Sequence, residues 1–173
     1  MKVSHLSLIP ILWLNAVAYA QGASPPTHEL TVPNFDDASP ACVVRIPVVN
    51  PQCTPEGCTL PVPAGALDSI KLDFSCLPTK APTGFENPAP YVKVQTLRAK
   101  NSEGNLSLSD NLSAPPKERF RELGFCLYGK FNNFCGYTRV MSSDYRTKVK
   151  ATRLVKEFLQ GIELQEPWTK DGR

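Results

Sequence analysis

The stretch from Gly124 to Met141, GFCLYGKFNNFCGYTRVM, decides the fold of this chain. Two aromatic runs, each containing one cysteine, flank a polar centre that includes Gly129, Asn132 and Asn133. This composition is typical of two strands joined by a turn. We therefore predict a buried β-hairpin whose aromatic rings supply much of the apolar surface in the second half of the chain: Phe125, Tyr128, Phe131, Phe134 and Tyr137.

The N-terminus has the pattern of a secretory signal peptide. Lys2 and His5 are followed by an apolar run, and the small residues of Ala18-Tyr19-Ala20 occupy the positions that a signal peptidase reads. We predict that residues 1–20 are removed and that the protein is secreted; the alternative is an uncleaved N-terminal anchor. No later stretch approaches the roughly 20 apolar residues that span a bilayer, so no membrane attachment is expected after cleavage.

Cysteine usage agrees with export, because all six cysteines follow the leader and an even number favours complete pairing. We predict three disulfides, and the sequence does not choose among the possible pairings. The hairpin cysteines are expected to tie the hairpin to itself or to an earlier strand, and the second and third cysteines to staple their region to neighbouring strands. Zinc is the competing explanation, but the spacing contains no Cys-x-x-Cys pair and no nearby histidine. The cysteines are Cys42, Cys53, Cys58, Cys76, Cys126 and Cys135.

Proline divides the chain into two parts. Thirteen of the 17 prolines lie between Pro25 and Pro90, and none lies between Lys117 and Glu166. Because proline fixes φ and removes a backbone donor, the first part is expected to form short strands separated by turns. We predict three segments after the leader: a flexible stretch of little core at 21–40, a single domain at 41–163, and a C-terminal tail at 164–173.

Four segments before the hairpin have the character of strands. The best of them is Ser69–Cys76, in which apolar and polar residues alternate. A β-branched segment, Ala41–Asn50, is predicted to be a strand, and its Pro47 indicates either an edge position or a bulge. Tyr91–Lys100 is predicted as a further strand, and Glu29–Val32 as a short one.

The C-terminal part predicts one amphipathic helix. Ser142, Ser143 and Asp144 offer N-cap residues, and Gly161 is expected to end the helix. The predicted fold class is therefore α+β: a β-rich antiparallel sheet or sandwich with a C-terminal amphipathic helix, stabilised by disulfides. The opposite, solvated face of the helix is expected to carry charged residues that include Lys148. Its apolar face repeats at three- and four-residue steps: Ala151, Leu154, Val155, Phe158, Leu159 and Ile162.

A polar segment at 99–116 contains two acceptor sequences for N-linked glycosylation. Their asparagines are Asn105 and Asn111, each followed by leucine and serine. If either is glycosylated, this segment faces solvent. A short strand around Leu106 and Leu108 would leave one of the two acceptors on a strand edge.

The motifs for catalysis are mostly missing. The chain after the leader has one histidine, His28, which disfavours mechanisms that need a held imidazole. Paired carboxylates remain conceivable, with Asp68 and Asp73 beside the best strand, because glycosidases need only two carboxylates held by the fold. We therefore do not predict an enzyme, and we predict no cofactor and no metal.

Two sets of residues are candidates for binding. Trp168 follows Pro167 in the C-terminal tail and is a candidate anchor for a protein interface, although its ring would alternatively fold back on the core. The Pro-Trp pair resembles the second hairpin loop of cystatins, which wedges into papain-like proteases; the Gln-x-Val-x-Gly loop of cystatins is absent. Tyr128 and Tyr137 are candidate stacking platforms for a carbohydrate.

The leader, the six scattered cysteines, the high proline content and the missing catalytic motif resemble the small secreted effector proteins of plant-pathogenic fungi. The resemblance implies binding to host targets, including extracellular proteases and glycans. We accordingly expect a monomer that binds and inhibits a host extracellular hydrolase, first of all a papain-like cysteine protease, with no nucleic-acid partner. The alternatives are a carbohydrate-binding or cell-wall-associated module and a small carboxylate-dependent glycoside hydrolase.

Overall fold

The structure is a computed structural model that describes residues 27–36, 39–47, 52–62, 69–81 and 83–165. These residues form ten strands, one 3₁₀ turn at Pro116–Glu118 and one α-helix, so the predicted disulfide-stabilised α+β class is confirmed. The predicted leader lies outside the described residues. The elements are β1 (Thr27–Val32), β2 (Cys42–Pro47), β3 (Gln52–Thr54), β4 (Gly57–Pro61), β5 (Ser69–Pro78), β6 (Lys93–Arg98), β7 (Glu103–Asn111), β8 (Phe120–Tyr128), β9 (Asn132–Met141), α1 (Tyr145–Gln160) and β10 (Glu163–Gln165).

Seven strands form the larger sheet, in the order β3-β4-β5-β9-β8-β7-β6, and the predicted hairpin lies at its centre as β8 and β9. Every pairing in this sheet is antiparallel. Phe125 faces Gly136 across the hairpin, and a Cβ at that glycine would lie 2.7 Å from the Phe125 ring. The glycine therefore admits the ring, which packs with Phe74 and Phe134 in the core.

Strand periodicity sorts the five hairpin rings between the two faces of this sheet. Phe125 and Phe134 point to the inner face and are buried, as predicted. Tyr128 and Tyr137 point to the outer face, and Phe131 lies in the turn. All three of these rings are exposed, so the prediction that they are buried is wrong.

The smaller sheet has the order β1-β2-β10 and lies over the inner face of the larger one, where Cys42 of β2 is bonded to Cys76 of β5. Two predictions are corrected here. β2 is neither an edge strand nor bulged, because β1 pairs with it in unbroken register and β10 pairs with Val43–Arg45 on its other side; Pro47 is its last residue. β1 also buries two side chains in the core, so the segment 21–40 contributes more core than expected.

Helix α1 also lies over the inner face, and it begins and ends where the sequence predicts. Asp144 is the N-cap and accepts hydrogen bonds from the backbone N–H groups of Arg146 and Thr147, and Gly161 is the C-cap. Lys148, predicted to be solvated, is only 3% exposed. It is buried because its ammonium group reaches the Asp110 carboxylate of β7, at 3.7 Å.

The three predicted disulfides are present, and two of them close hairpins. Cys126 is bonded to Cys135 across β8 and β9, which is the first of the two options that the sequence leaves open. Cys53 and Cys58 are bonded to each other across the β3–β4 turn, so the prediction that they staple neighbouring strands is wrong. Their strands are paired so that the two residues stand directly opposite each other.

Candidate functional site

A cavity of about 120 Å³ opens beside the β8–β9 turn, where the two sheets meet. Four separate parts of the chain line it: the start of β2, the loop before β7, the hairpin turn and strand β10. We call it the turn cavity, and its lining residues are Ala41–Val43, Asn101, Ser102, Tyr128–Asn132, Leu164 and Gln165.

Two local features fix the shape of the turn cavity. Gly129 closes the hairpin by donating its N–H to the carbonyl of Asn132 at 3.0 Å, and a Cβ at this glycine would lie 2.4 Å from that oxygen. On the opposite wall, the Asn101 amide accepts from Leu164 N at 2.9 Å and donates to Leu164 O at 2.7 Å. Asn101 thus pairs with β10 as a strand would.

A network of hydrogen-bonded, buried amide side chains adjoins the turn cavity. Asn132 Nδ2 donates to the carbonyl of Pro40 at 2.7 Å, and its Oδ1 accepts from Asn34 Nδ2 at 3.1 Å. Asn34 and Asn132 are both buried. Because these polar groups are satisfied by one another, the turn is held in one conformation.

Three kinds of chemical group are found among the lining residues of the cavity. The Ser102 hydroxyl oxygen is buried and has no hydrogen-bond partner among the described residues. The Tyr128 ring is 39% exposed, and its hydroxyl accepts from Asn105 Nδ2 at 2.8 Å. The Lys130 ammonium lies 5.1 Å from the centroid of the Phe131 ring. An aromatic surface and a cation therefore lie at the opening, while the unpaired Ser102 hydroxyl is enclosed in the wall of the cavity.

Tyr137 shares the outer face with Tyr128 but lies apart from the cavity. It stands opposite Gly124, four residue pairs along the hairpin from the pair of Tyr128 with Asn133, which is about 14 Å. The pKa of Tyr137 is raised, because its hydroxyl is hydrogen-bonded to the Asp73 carboxylate on β5.

The link between β5 and β6 crosses the outer face near Tyr137. A Cβ at Gly124 would lie 3.9 Å from the Phe85 ring of this link. Glu86 accepts hydrogen bonds from the backbone N–H and the hydroxyl of Thr83, at 2.9 and 2.8 Å. These hydrogen bonds lower the pKa of Glu86 to about 2, and the bond from the backbone N–H of Thr83 has the largest effect.

A cluster of charged groups lies between the larger sheet and α1. Arg121 donates to both carboxylate oxygens of Asp110, at 2.9 and 2.7 Å, and to the Thr152 hydroxyl of α1 at 3.3 Å. The hydrogen bond from Arg121 lowers the pKa of Asp110, and the nearby Lys148 adds to the effect. This cluster joins the helix to β7 and β8.

The candidate site residues have different outcomes. The structure brings Tyr128 to the turn cavity and leaves Tyr137 exposed on the same sheet face. Trp168, Pro167 and Asp68 lie outside the described residues. Asp73 contacts Tyr137 rather than a second carboxylate, and the residues that line the cavity include no Asp or Glu. The glycosidase alternative therefore draws no support from this cavity.

Sequence reasoning missed two residues of the loop before β7, one asparagine and one serine. Ser102 and Asn101 belong to no motif, and only the folded chain places them against Leu164 and the hairpin turn. In the described ranges, no group of three or more His, Cys, Asp and Glu side chains is arranged to hold a metal ion. Nor does any helix within those ranges combine the length and hydropathy needed to cross a lipid bilayer.

A scan against models of protein families, a search of curated proteins and a search of solved structures each found no match to this chain. The function must therefore be inferred from the chemistry of the site.

Proposed function

We propose that this protein is exported and acts by binding, and that the turn cavity and the Tyr128 ring bind a carbohydrate. The observation that carries the proposal is the exposed Tyr128 ring at the rim of a cavity with polar lining residues, whose wall encloses the unpaired Ser102 hydroxyl. A sugar supplies a C–H face for the ring and hydroxyl groups for the polar lining. Concave sites that combine aromatic walls with a few polar groups are typical of small-ligand binding.

Export is supported by the three disulfides and by the leader-like N-terminus. Disulfides persist in oxidising compartments and are rare in the cytosol. All six cysteines are paired, and no free thiol remains. The extracellular setting would bring the cavity into contact with host or cell-wall glycans.

The size of the site favours the end of a sugar chain. A volume of about 120 Å³ corresponds to about four water molecules, enough to admit part of one sugar unit. Lys130 extends the range of ligands to sugars that carry a carboxylate.

We expect the Tyr128→Ala variant to bind its oligosaccharide about tenfold more weakly, because it loses the stacking surface at the rim. Isothermal titration with soluble oligosaccharides of chitin, cellulose and polygalacturonate measures the effect. Tyr91→Ala is the matched control, since Tyr91 is an exposed tyrosine beyond the opposite end of β6. Absence of binding to all three oligosaccharides, or equal loss in the two variants, would contradict the proposal.

Ser102→Ala separates a binding role from a structural one. Removing a buried hydroxyl that has no partner should raise the free energy of unfolding by about 1 kcal/mol, because its desolvation is no longer required. The same change weakens oligosaccharide binding if the bound ligand uncovers the Ser102 hydroxyl and forms a hydrogen bond with it. A variant that is more stable and binds equally well would show that the hydroxyl does not contact the ligand.

A second candidate is inhibition of a host hydrolase, with a papain-like cysteine protease as the first target to test. Inhibition is favoured by exposed aromatic residues at the end of the molecule where the turn cavity lies. Phe131 is at the tip of the hairpin, and Phe35 is 89% exposed. Their neighbours Asn132 and Asn34 are hydrogen-bonded to each other, which places the two aromatic residues at the same end of the molecule. Exposed aromatic residues are common anchors of protein interfaces.

Inhibition is measured as the residual activity of a purified papain-like protease at saturating concentrations of this protein. We expect the activity to fall with the native chain and to recover at least partly with Phe131→Ala, because the substitution removes an anchor. Tyr91→Ala again serves as the control. Full protease activity at saturation would reject this candidate and leave carbohydrate binding unaffected.

A further inference from the structure

We propose that Asn111, and not Asn105, is the residue of this chain that carries an N-linked glycan. Both asparagines lie on β7 and, by strand periodicity, on the outer face of the larger sheet. The two differ in what surrounds them. The inference requires passage through a eukaryotic secretory pathway but no ligand in the turn cavity.

Asn111 has the more open surroundings because it is the last residue of β7. The pairing of β6 with β7 ends at Lys93 and Leu108, so Asn111 has a paired strand on one side only. Its neighbour Leu112 is 64% exposed. A glycan at this position has free space at the end of the sheet.

The Asn111 side chain is also held in a suitable orientation. Its Oδ1 accepts hydrogen bonds from the backbone N–H groups of Ser113 and Ala114, both at 3.2 Å. Ser113 is the third residue of the acceptor sequence, so the sequence is folded into a turn around the amide oxygen. The amide Nδ2 has no hydrogen-bond partner among the described residues and is left for the sugar.

Asn105 differs in each of these respects. It lies within β7, between Thr96 of β6 and Cys126 of β8. Its Nδ2 donates to the Tyr128 hydroxyl at 2.8 Å. A sugar on this nitrogen would lie against Tyr128 and the paired strands, and it would crowd the rim of the turn cavity.

The chemistry consumes a donor that the secretory pathway supplies. A lipid-pyrophosphate-linked oligosaccharide gives its anomeric carbon to Asn111 Nδ2, which loses one proton as the new C–N bond forms. The bond between the anomeric carbon and the pyrophosphate oxygen breaks, and the lipid pyrophosphate leaves. The attached sugars would cover an apolar row in which Phe120 stands opposite Asn111 and Met141 stands opposite Phe120.

Site mapping on the full chain, secreted from a eukaryotic cell line, tests the inference. Enzymatic removal of the glycans in ¹⁸O-labelled water converts each glycosylated asparagine to labelled aspartate, which peptide mass spectrometry locates. We expect the label at Asn111 alone. A label at Asn105, at both positions or at neither would overturn the inference.

Two matched variants remove one acceptor sequence each while leaving both asparagines in place. Ser113→Ala keeps the backbone N–H that bonds to Asn111 and should abolish the glycan. Ser107→Ala should leave it unchanged. If Ser107→Ala reduces secretion because its hydroxyl no longer bonds to the Gly124 carbonyl, the site mapping of the native chain still decides the question.

Discussion

Replacing Cys42 and Cys76 together by alanine is expected to lower the free energy of unfolding by about 4 kcal/mol, because this disulfide closes a long loop. The two residues are separated by 34 positions, and their bond joins β2 of the smaller sheet to β5 of the larger one. Without it, the unfolded chain regains the conformational freedom of the whole loop. Urea unfolding under oxidising conditions measures the change.

The matched control is the double substitution of Cys53 and Cys58 by alanine. That disulfide spans only 5 positions within one hairpin, so its removal should cost about 2 kcal/mol. Comparable losses in the two variants would show that the link between the sheets contributes no more than a hairpin closure. A smaller loss of stability on removing the Cys42–Cys76 disulfide than on removing the Cys53–Cys58 disulfide would contradict the explanation by loop length.

Local sequence patterns predicted the elements of this fold because each pattern reflects a nearby physical requirement. The alternation in Ser69–Cys76 appears as β5, and the helical repeat after Asp144 appears as α1. Gly124–Met141 forms the central hairpin. Periodicity of two or 3.6 residues records only which side of an element is buried, and these elements needed no more information than that.

Predictions failed where the outcome depended on the position of a distant partner. Lys148 has the spacing of a solvated helix residue, yet it is buried because Asp110 of β7 lies beneath it. Pro47 does suggest an edge, but β10 pairs alongside β2 without reaching that residue. The disulfide between Cys53 and Cys58 is a local exception, because it depends on the register of a short hairpin that the sequence leaves open.

The candidate site was harder still to predict from the sequence. Tyr128 was identified as a candidate from its aromatic character and its place in the hairpin. Ser102 and Leu164 come from other parts of the chain, and their types occur at many positions. No spacing links these residues, since the turn cavity is formed only when β10 closes against β2 beside the hairpin turn.

Asp110→Ala is expected to destabilise the protein by about 3 kcal/mol, because it leaves two buried cations without their carboxylate. Arg121 and Lys148 are both buried, and each forms an ion pair with the Asp110 carboxylate. The expected loss is at the lower end of the range for breaking a buried ion pair, because the Asp110 side chain is itself 30% exposed.

Glu122→Ala is the control, because its ion pair with Arg139 lies on the exposed outer face and should contribute under about 1 kcal/mol. Equal losses in the two variants would contradict a special role for the buried cluster.

The same carboxylate should make stability depend on pH. Because the hydrogen bond from Arg121 lowers the folded-state pKa of Asp110 below its unfolded value, the unfolded chain takes up the proton first as the pH falls. The stabilisation is therefore complete above about pH 5 and is lost as the pH falls through the folded-state pKa. Urea unfolding across this range should show a steeper loss in the native chain than in Asp110→Asn, with the two curves converging in acid. Parallel curves would mean that the protonation of Asp110 does not contribute to the pH dependence of stability.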